Sequence, residues 1–437
     1  MSRPLVCLTM ILKDEAHCIR KTLESVKAFV DCWAIVDTGS TDGTQSLVRE
    51  IMAGVPGRLC EEPFVDFATS RNRALQLAKQ IAPEYTPESL DSDSIPVFTL
   101  MLSADETFSG GAELRAFLET QRGGGDGAYS VVMLSERSRW SYPRVLRVDA
   151  GWSYVGEVHE VPVGPAGESG GLVVSGVTVS HEATDPDRRT KRMREFDLPL
   201  LSKMVEDEAR PLSERAQAVW FLAQTYDGLA DRVERTPGGP WVSYKMMAMS
   251  LYWRRMELGG LLGEADDALK AHYAFFRYMN VAEQLNFYTD EELLTRLNML
   301  VQLEPRIPEV HYMMAVHAAK LDVRQGLFFA EQAARAARET IEGVAYHLPM
   351  DLRLEWLSLA VAAACARQLD RLGYARTLAQ RAVAAGAPAA KFEEYLALPD
   401  APDIGDDLGA AGAAPAVDVS EDVALDIPNL SDPEERV

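Results

Sequence analysis

The chain has 437 residues, 47% apolar and 25% charged, with a formal charge of −22 at pH 7. That length predicts two or three domains with a sizeable core, and the acidity argues against broad attraction to nucleic acid. No apolar run reaches transmembrane length, the start carries no small-residue cleavage site, and Cys7, Cys18, Cys32, Cys60 and Cys365 form no CxxC pair, so a cytoplasmic chain with reduced thiols is expected.

In chain order, Leu5 to Leu12 is an apolar run followed by Lys13, Asp14 and Glu15, then by Ile19, Leu23, Val26 and Val30 at near-helical spacing. This predicts a strand, a polar turn and a helix. The pattern repeats with Trp33 to Val36 as a strand, Asp37 to Thr44 (DTGSTDGT) as a turn and Gln45 to Met52 as a helix. Two βα units in succession predict a parallel, right-handed, doubly wound sheet. Glycines let the turn reverse tightly, while Ser40, Thr41 and Asp42 can cap the helix and offer donors and acceptors to a ligand. Leu59 to Phe64 is expected as a third strand. Phe67 to Gln80 is expected as a helix whose first turns carry Arg71, Asn72 and Arg73, where guanidinium groups suit either a diphosphate or an ordinary helix surface.

After a polar, proline-bearing loop from Pro83 to Ser94, the apolar run Phe98 to Leu102 breaks into Ser103, Ala104, Asp105 and Glu106. Such a run reads as a buried strand of a parallel sheet, and ligands bind outside the carboxyl ends of strands in open α/β sheets. Two acids there suit Mg²⁺ or Mn²⁺ held together with substrate phosphates, or else a strand end followed by an aspartate helix cap. Beyond the glycine-rich turn Gly123 to Gly127, strands are expected at Tyr129 to Leu134, Ser138 to Arg147, Trp152 to Val163 and Val173 to Ser180. The last ends in His181 and Glu182, and His181 reads either as a metal ligand or as a structural histidine. Trp140, Tyr142, Trp152 and Tyr154 suit stacking on a sugar or plain core packing equally.

After Asp185 helical patterns take over. Arg188, Arg189, Lys191, Arg192 and Arg194 form a basic cluster that reads as a solvated helix face. Helices are expected at Ser213 to Tyr226, Tyr244 to Leu258, Glu264 to Tyr278, Asp290 to Leu303, Pro308 to Leu321, Arg324 to Arg338, Leu352 to Leu369 and Leu372 to Ala385. Paired helices of this length suggest an α-solenoid of the tetratricopeptide kind, with Glu304 to Leu321 the clearest repeat-like unit. Between Asp400 and Val437 eleven acids face one base, so a disordered acidic tail is expected. The expected division is an α/β domain over 1–205, an all-α helical-repeat domain over 206–398 and the tail over 399–437.

The stretch MILKDEAHCIRKTLESVKAFVDCWAIVDTGSTDGT, followed in order by DFATSRNRAL, LSADE, YPRVLR and GEVHE, resembles family 2 glycosyltransferases with the GT-A (nucleotide-diphospho-sugar transferase) fold, in the branch with a helical-repeat extension. The resemblance covers about Leu5 to Val205 and extends more loosely over Tyr252 to Leu269. It implies that Lys13, Glu15 and Asp37 lie at the nucleotide end of a donor site, with Arg71 and Asn72 near the uridine or diphosphate of a UDP-sugar. LSADE occupies the place of the Asp-x-Asp signature, so Asp105 is implied as ligand of the bridging Mn²⁺ or Mg²⁺. Ser103 stands where the first Asp is usual, and a serine can still bond a ribose hydroxyl.

Transfer from a nucleotide sugar builds negative charge on the departing diphosphate, which a cation on Asp105 helped by Arg144 or Arg71 would stabilise. Inversion also needs a base for the incoming hydroxyl. The candidates are Glu160, Glu157 and His159 of GEVHE, with Glu160 first by position in the family, against the plain reading of a polar strand edge. On an alternating strand Glu157 and His159 would share a face and Glu160 point away. The resemblance thus implies an inverting, metal-assisted glycosyltransferase whose helical half presents a protein, peptide or glycan acceptor; a nucleic-acid acceptor would need the basic cluster beside the site. The rival from another class is a non-catalytic scaffold with a degenerate transferase domain, for which Ser103 is the best support.

Overall fold

The computed structural model describes residues 5–81, 84, 97–121, 127–136, 138–167, 171–181, 186–262, 265–342 and 350–399. Nearly all of the loop from Pro83 to Ser94, most of the glycine-rich turn, Glu182 and the acidic tail from Asp400 lie outside the described residues. An N-terminal mixed α/β sheet is followed by a helical C-terminal region, and the main break between two compact units falls between Phe221 and Leu222. Among the described residues no helix is long and apolar enough to cross a membrane.

The first unit opens with β1 (Leu5–Leu12), α1 (Ile19–Val26), β2 (Cys32–Asp37), α2 (Thr44–Ile51), β3 (Gly57–Glu61), α3 (Phe67–Ile81) and β4 (Val97–Met101). β2 and β4 flank β1, both parallel to it, with Leu12 opposite Asp37 and Thr9 opposite Met101. Both faces of these strands are covered, which is why their sequences run apolar without alternation. Val6, Leu8, Met10 and Leu12 pack with Ile19, Leu23 and Val26 of α1, while Cys7, Cys32 and Ala34 pack with Leu77, Ala78 and Ile81 of α3. Each fully buried aliphatic side chain contributes about 1.5–3 kcal/mol relative to exposure.

Gly57 opens β3 because Trp33 lies across it: a Cβ there would sit 2.3 Å from the indole. Gly57→Ala is expected to cost about 1–3 kcal/mol by overpacking, read as a lower denaturant midpoint at unchanged slope. A midpoint equal to wild type would show that the indole moves freely, although its Nε1 is tied to Val55 O at 2.8 Å.

The unit continues with β5 (Glu106–Ser109), α4 (Gly111–Thr120), β6 (Ala128–Leu134), β7 (Ser138–Arg147), β8 (Ser153–Val155), β9 (Val161–Val163) and β10 (Leu172–His181). The large sheet runs β3-β2-β1-β4-β7-β6-β10-β5. The parallel sheet expected from the two βα units holds from β3 to β4 and does not extend beyond. β4 meets β7, β7 meets β6 and β10 meets β5 antiparallel, while β10 meets β6 parallel. The reason is connection length: the link between β6 and β7 is far shorter than a parallel crossover needs. Of the two readings open for the stretch after Leu102, the aspartate helix cap is the one not found, because Glu106 starts β5 and pairs with His181 across the sheet edge.

A second correction concerns WSYVGEVHEVPV. It is not one strand but the short antiparallel ribbon β8–β9, with GEVHE as its connecting loop. Gly156 (φ +99°) and His159 (φ +52°) leave the extended region there, so the face-sharing argument for Glu157 and His159 does not apply.

α5 (Pro186–Arg192), a π-helical turn, α6 (Leu198–Glu206) and α7 (Leu212–Ala230) follow. The helical region then comprises α8 (Pro240–Leu262), α9 (Ala265–Gln284), α10 (Asp290–Leu303), α11 (Pro308–Leu321), α12 (Val323–Glu342), α13 (Leu354–Gln368), α14 (Leu372–Ala384) and α15 (Glu393–Leu396). Starts follow local chemistry: Thr289 and Glu292 form a capping box on α10, and Pro308 occupies the first turn of α11. Inside this unit Asp227 binds the fully buried Lys245 at 2.5 Å and Arg277 at 2.5 Å.

Candidate functional site

β1, β2 and β4 end on one edge of the sheet. Strand order reverses there, because the chain runs outward from β1 through β2 to β3 and returns as β4 on the other side of β1. Loops leaving such a point form a crevice. Two of them are laced together: Asp14 N donates to Ser40 Oγ at 2.8 Å, Thr41 N to Asp14 Oδ1 at 2.7 Å, Glu15 N to Thr44 Oγ1 at 2.9 Å and Ala16 N to Asp42 Oδ2 at 2.9 Å. The polar residues of DTGSTDGT therefore hold the loop carrying Lys13 and Glu15.

Asp37, the last residue of β2, is fully buried. Its Oδ1 accepts from Gly39 N, Ser40 N and Gln45 Nε2 at 3.0, 2.8 and 3.1 Å. Its Oδ2 is buried with no hydrogen-bond partner among the described residues. A buried carboxylate oxygen left this way suits a ligand N–H or O–H, since an unmet acceptor costs about 1–3 kcal/mol. Lys13 is exposed, and its Nζ lies 3.8 Å from where a Cβ on Gly39 would stand. Glu15 Oε2 accepts from Cys18 Sγ at 3.4 Å, and Glu15, His17 and Cys18 bring ligand atoms within 4.8 Å of one another, a grouping the sequence reading did not mark.

At the end of β4 four charges surround Met101. Arg71 Nη1 and Arg144 Nη1 both donate to its Sδ, at 2.7 and 2.9 Å. Arg71 Nε is paired with Glu160, and Arg144 Nη2 with Glu106 Oε1 at 2.5 Å. Glu106 Oε2 also accepts Ser103 N at 2.7 Å. The acid of LSADE that turns inward is therefore Glu106, 3% exposed; of the two acids the sequence offers to a cation at the strand exit, it is the one taken up by Arg144 and Ser103 N. Asp105 stays half-buried, with Oδ2 3.7 Å from His181 Nε2. That carboxylate and imidazole, meeting from the β4–β5 turn and the end of β10, fit a divalent cation that accepts mixed O and N ligands, as Mn²⁺ does better than Mg²⁺.

The GEVHE loop is tied down at several points. Tyr142 Oη donates to Glu160 O at 2.7 Å, Phe67 N donates to Glu157 O at 3.1 Å, and the Glu157 carboxylate pairs with Arg210. Asn72 uses both polar side-chain atoms on the Tyr154 backbone, at 2.8 and 2.7 Å. His159 stacks on Phe221 at 4.1 Å and lies 3.9 Å from Asp197. Burial pushes His159 below its ordinary pKa against the opposing pull of Asp197. Burial also works against the charge on Glu160, yet the Arg71 guanidinium holds it below the usual carboxylate range. Burial raises the Tyr154 hydroxyl to about 12. Trp152 and Tyr154 are core residues, packed with Ala68, Met101, Ala128 and Leu146.

The structure thus brings Arg71, Arg144, Ser103 and Glu160 together around Met101, while Asp105, close by in the chain, lies 3.7 Å from His181. Asp37, Lys13 and Glu15 sit on the neighbouring strand ends. His159 and Glu157 face Phe221, Asp197 and Arg210 instead. The basic cluster adjoins this loop: Arg192 lies 3.6 Å from Asp197 and 4.8 Å over the Phe67 ring.

No protein-family model matches the chain. Over 78 residues it is 38% identical to the lipopolysaccharide core biosynthesis glycosyltransferase LpsC of Rhizobium meliloti (strain 1021), a match covering 18% of this chain and 28% of that protein. The chain is therefore similar to a glycosyltransferase over a short stretch. A crystal structure of BtubC (BKLC) from P. vanneervenii aligns over 54% of this chain and 82% of its own with a TM-score of 0.31 and 15% identity. A likeness of that size carries no argument.

Proposed function

We propose that this chain is an inverting, metal-assisted glycosyltransferase of the family 2, GT-A kind, taking a UDP-sugar donor, with a tetratricopeptide-like helical region that presents a protein, peptide or glycan acceptor. The observation that carries the reading is the gathering of Arg71, Arg144 and Glu160 around Met101 at the strand-order switch, with Asp105 beside His181 at the same strand exit. The short similarity to LpsC supports the same class.

In this reading Asp37 Oδ2 accepts from the base or ribose of the donor, and Lys13 and Glu15 line the same end. Arg71 and Arg144 face the diphosphate, and Ser103 offers its hydroxyl to the ribose. Asp105 and His181 would hold Mn²⁺ or Mg²⁺, which when bound neutralises phosphate charge. The acceptor oxygen attacks the anomeric carbon from the face opposite the leaving group; the bond from that carbon to the diphosphate oxygen breaks, UDP departs, and the acceptor proton passes to the Glu160 carboxylate. Preorganised guanidinium groups answer the charge that grows on the leaving group.

Calorimetric titration with UDP, with and without Mn²⁺, tests this on wild type and Asp105→Asn, followed by a screen of UDP-sugars for slow hydrolysis. Expected are Mn²⁺-dependent binding, a loss of about tenfold or more in Asp105→Asn by analogy with perturbed metal sites, and turnover of one sugar. A folded protein that binds UDP under neither condition would remove the basis of the transferase reading and turn attention to a scaffold role for the helical region.

A further inference from the structure

Arg71 and Glu160 were expected to do different things, one to meet the donor's diphosphate and the other to take the acceptor's proton. The structure pairs them with each other. Their side chains are 11% and 9% exposed, so the pair is shielded from bulk water and each group strongly affects the other. A carboxylate held in a charge-assisted bond to a guanidinium has its lone pairs engaged and is a weak base.

We propose that Arg71 is a donor-operated latch on Glu160: before the donor binds it neutralises the carboxylate, and the donor's diphosphate draws the guanidinium away, leaving Glu160 free to accept the proton. The inference rests on the donor reading above and assigns Arg71 a positioning role for the base, in addition to its contact with phosphate. Proton acceptance is thereby confined to the donor-bound protein.

The latch is built to open. Arg71 spends Nε on Glu160 and Nη1 on the Met101 sulfur, a weak acceptor, while its Nη2 makes no hydrogen bond to a described residue. A phosphate presents two oxygens to the planar fork of a guanidinium and satisfies it better than one thioether does. Arg144 differs, because its partner Glu106 is more deeply buried, also holds Ser103 N and stays in place. Moving Arg71 does not disorder the base: the Glu160 carbonyl remains bonded to Tyr142 Oη at 2.7 Å. The groups facing Glu160 are Arg71 from α3, Tyr142 and Arg144 from β7, Tyr154 from β8 and His159 beside it in the loop, with Glu106 of β5 answering Arg144. Of these, Arg71 is the one that bonds the carboxylate.

The sign of the proton linkage follows. With Arg71 in place Glu160 stays ionised to lower pH than usual; with Arg71 withdrawn, burial makes the carboxylate more basic, so UDP binding near pH 5 takes up a proton. Calorimetric titrations of UDP at pH 5 in two buffers of different ionisation enthalpy, on the full chain with Mn²⁺, read the protons exchanged, and Glu160→Gln subtracts those belonging to UDP itself. Wild type is expected to take up roughly 0.3–1 proton more than Glu160→Gln. Glu160→Gln should also bind UDP roughly fivefold tighter, since the guanidinium is no longer shared.

In Arg71→Gln the carboxylate is already unmasked before UDP arrives, so the excess uptake at pH 5 should largely vanish; an excess as large as in wild type would show that Glu160 answers to something other than Arg71 and overturns the latch. Arg71→Lys, which keeps the charge, should restore part of the excess and covers the case in which Arg71→Gln fails to fold. Equal proton uptake in wild type and Glu160→Gln, with UDP bound, overturns the latch while the donor site stands. Absence of any UDP binding heat overturns both together, so the two failures are distinguishable.

Discussion

Glu160→Gln is expected to lower the rate of UDP-sugar hydrolysis, and of transfer once an acceptor is known, by about 10²–10⁴-fold. The amide keeps the shape of the side chain but cannot accept the proton from the attacking oxygen. Because the loop is anchored through the Glu160 carbonyl and the Glu157 carbonyl, at 2.7 and 3.1 Å, the substitution leaves the backbone of GEVHE in place, so a lost rate reports chemistry rather than collapse. Glu157→Gln is the control. Its carboxylate is paired with Arg210 and lies 3.9 Å from Lys203, and its loss should weaken the seating of the loop with a smaller effect on rate. Single-turnover hydrolysis of the identified UDP-sugar decides between them: an unchanged rate in Glu160→Gln with a collapsed rate in Glu157→Gln would move the base to Glu157.

Asp227→Ala is expected to destabilise the helical region by about 3–5 kcal/mol, the range for removing one partner of a buried ion pair. Asp227 is 4% exposed and joins Lys245, 0% exposed, to Arg277 through its two oxygens. Without it Lys245 keeps Asp231, at 3.0 Å, as its acidic partner among the described residues. Stranding a buried cation costs more than the lost contact, because the ammonium has no water to return to. The same group predicts a pH dependence. Burial works against the Asp227 charge, but Arg277 and Lys245 hold it down to about 2 from an ordinary 3.8. A depressed folded value means that this stabilisation is complete above the unfolded value and is lost as the pH falls through the folded one, so the window lies between about pH 4 and pH 2. Denaturant melts of wild type and Asp227→Ala at pH 7 check the first point, and melts of wild type and Asp227→Asn at pH 7, 4 and 2.5 check the second. The gap between the two proteins should narrow at the lowest pH, and a gap that is constant with pH would mean that Asp227 acts through shape alone.

Much of this architecture is legible along the chain. Strands β1, β2 and β4 stand out because sheet faces covered by α1 and α3 favour apolar side chains at nearly every position. The starts of α10 and α11 are readable from Thr289, Glu292 and Pro308, whose preferences are local. The turn DTGSTDGT is visible for the same reason. The second half of the sheet is less legible: alternation shows that a segment is a strand but not which neighbour it takes, and four-residue β5 has too little pattern to be seen at all. GEVHE was misread as strand because its flanks are β-rich and nothing in the residue types announces a non-glycine at φ +52°.

By itself, then, the sequence determined which segments are buried, which turns are tight, and which acids and guanidinium groups stand at strand exits, since these follow from residue type over a few neighbouring positions. Tertiary structure alone decided their pairing. It turned Glu106 rather than Asp105 toward Arg144, set His181 3.7 Å from Asp105 by pairing β10 with β5, and brought Arg71 to Glu160 across 89 positions. Those partnerships depend on strand order and register, which long-range packing sets. The chemistry of the site resides in them, because the basicity of a carboxylate is fixed by the charge placed against it.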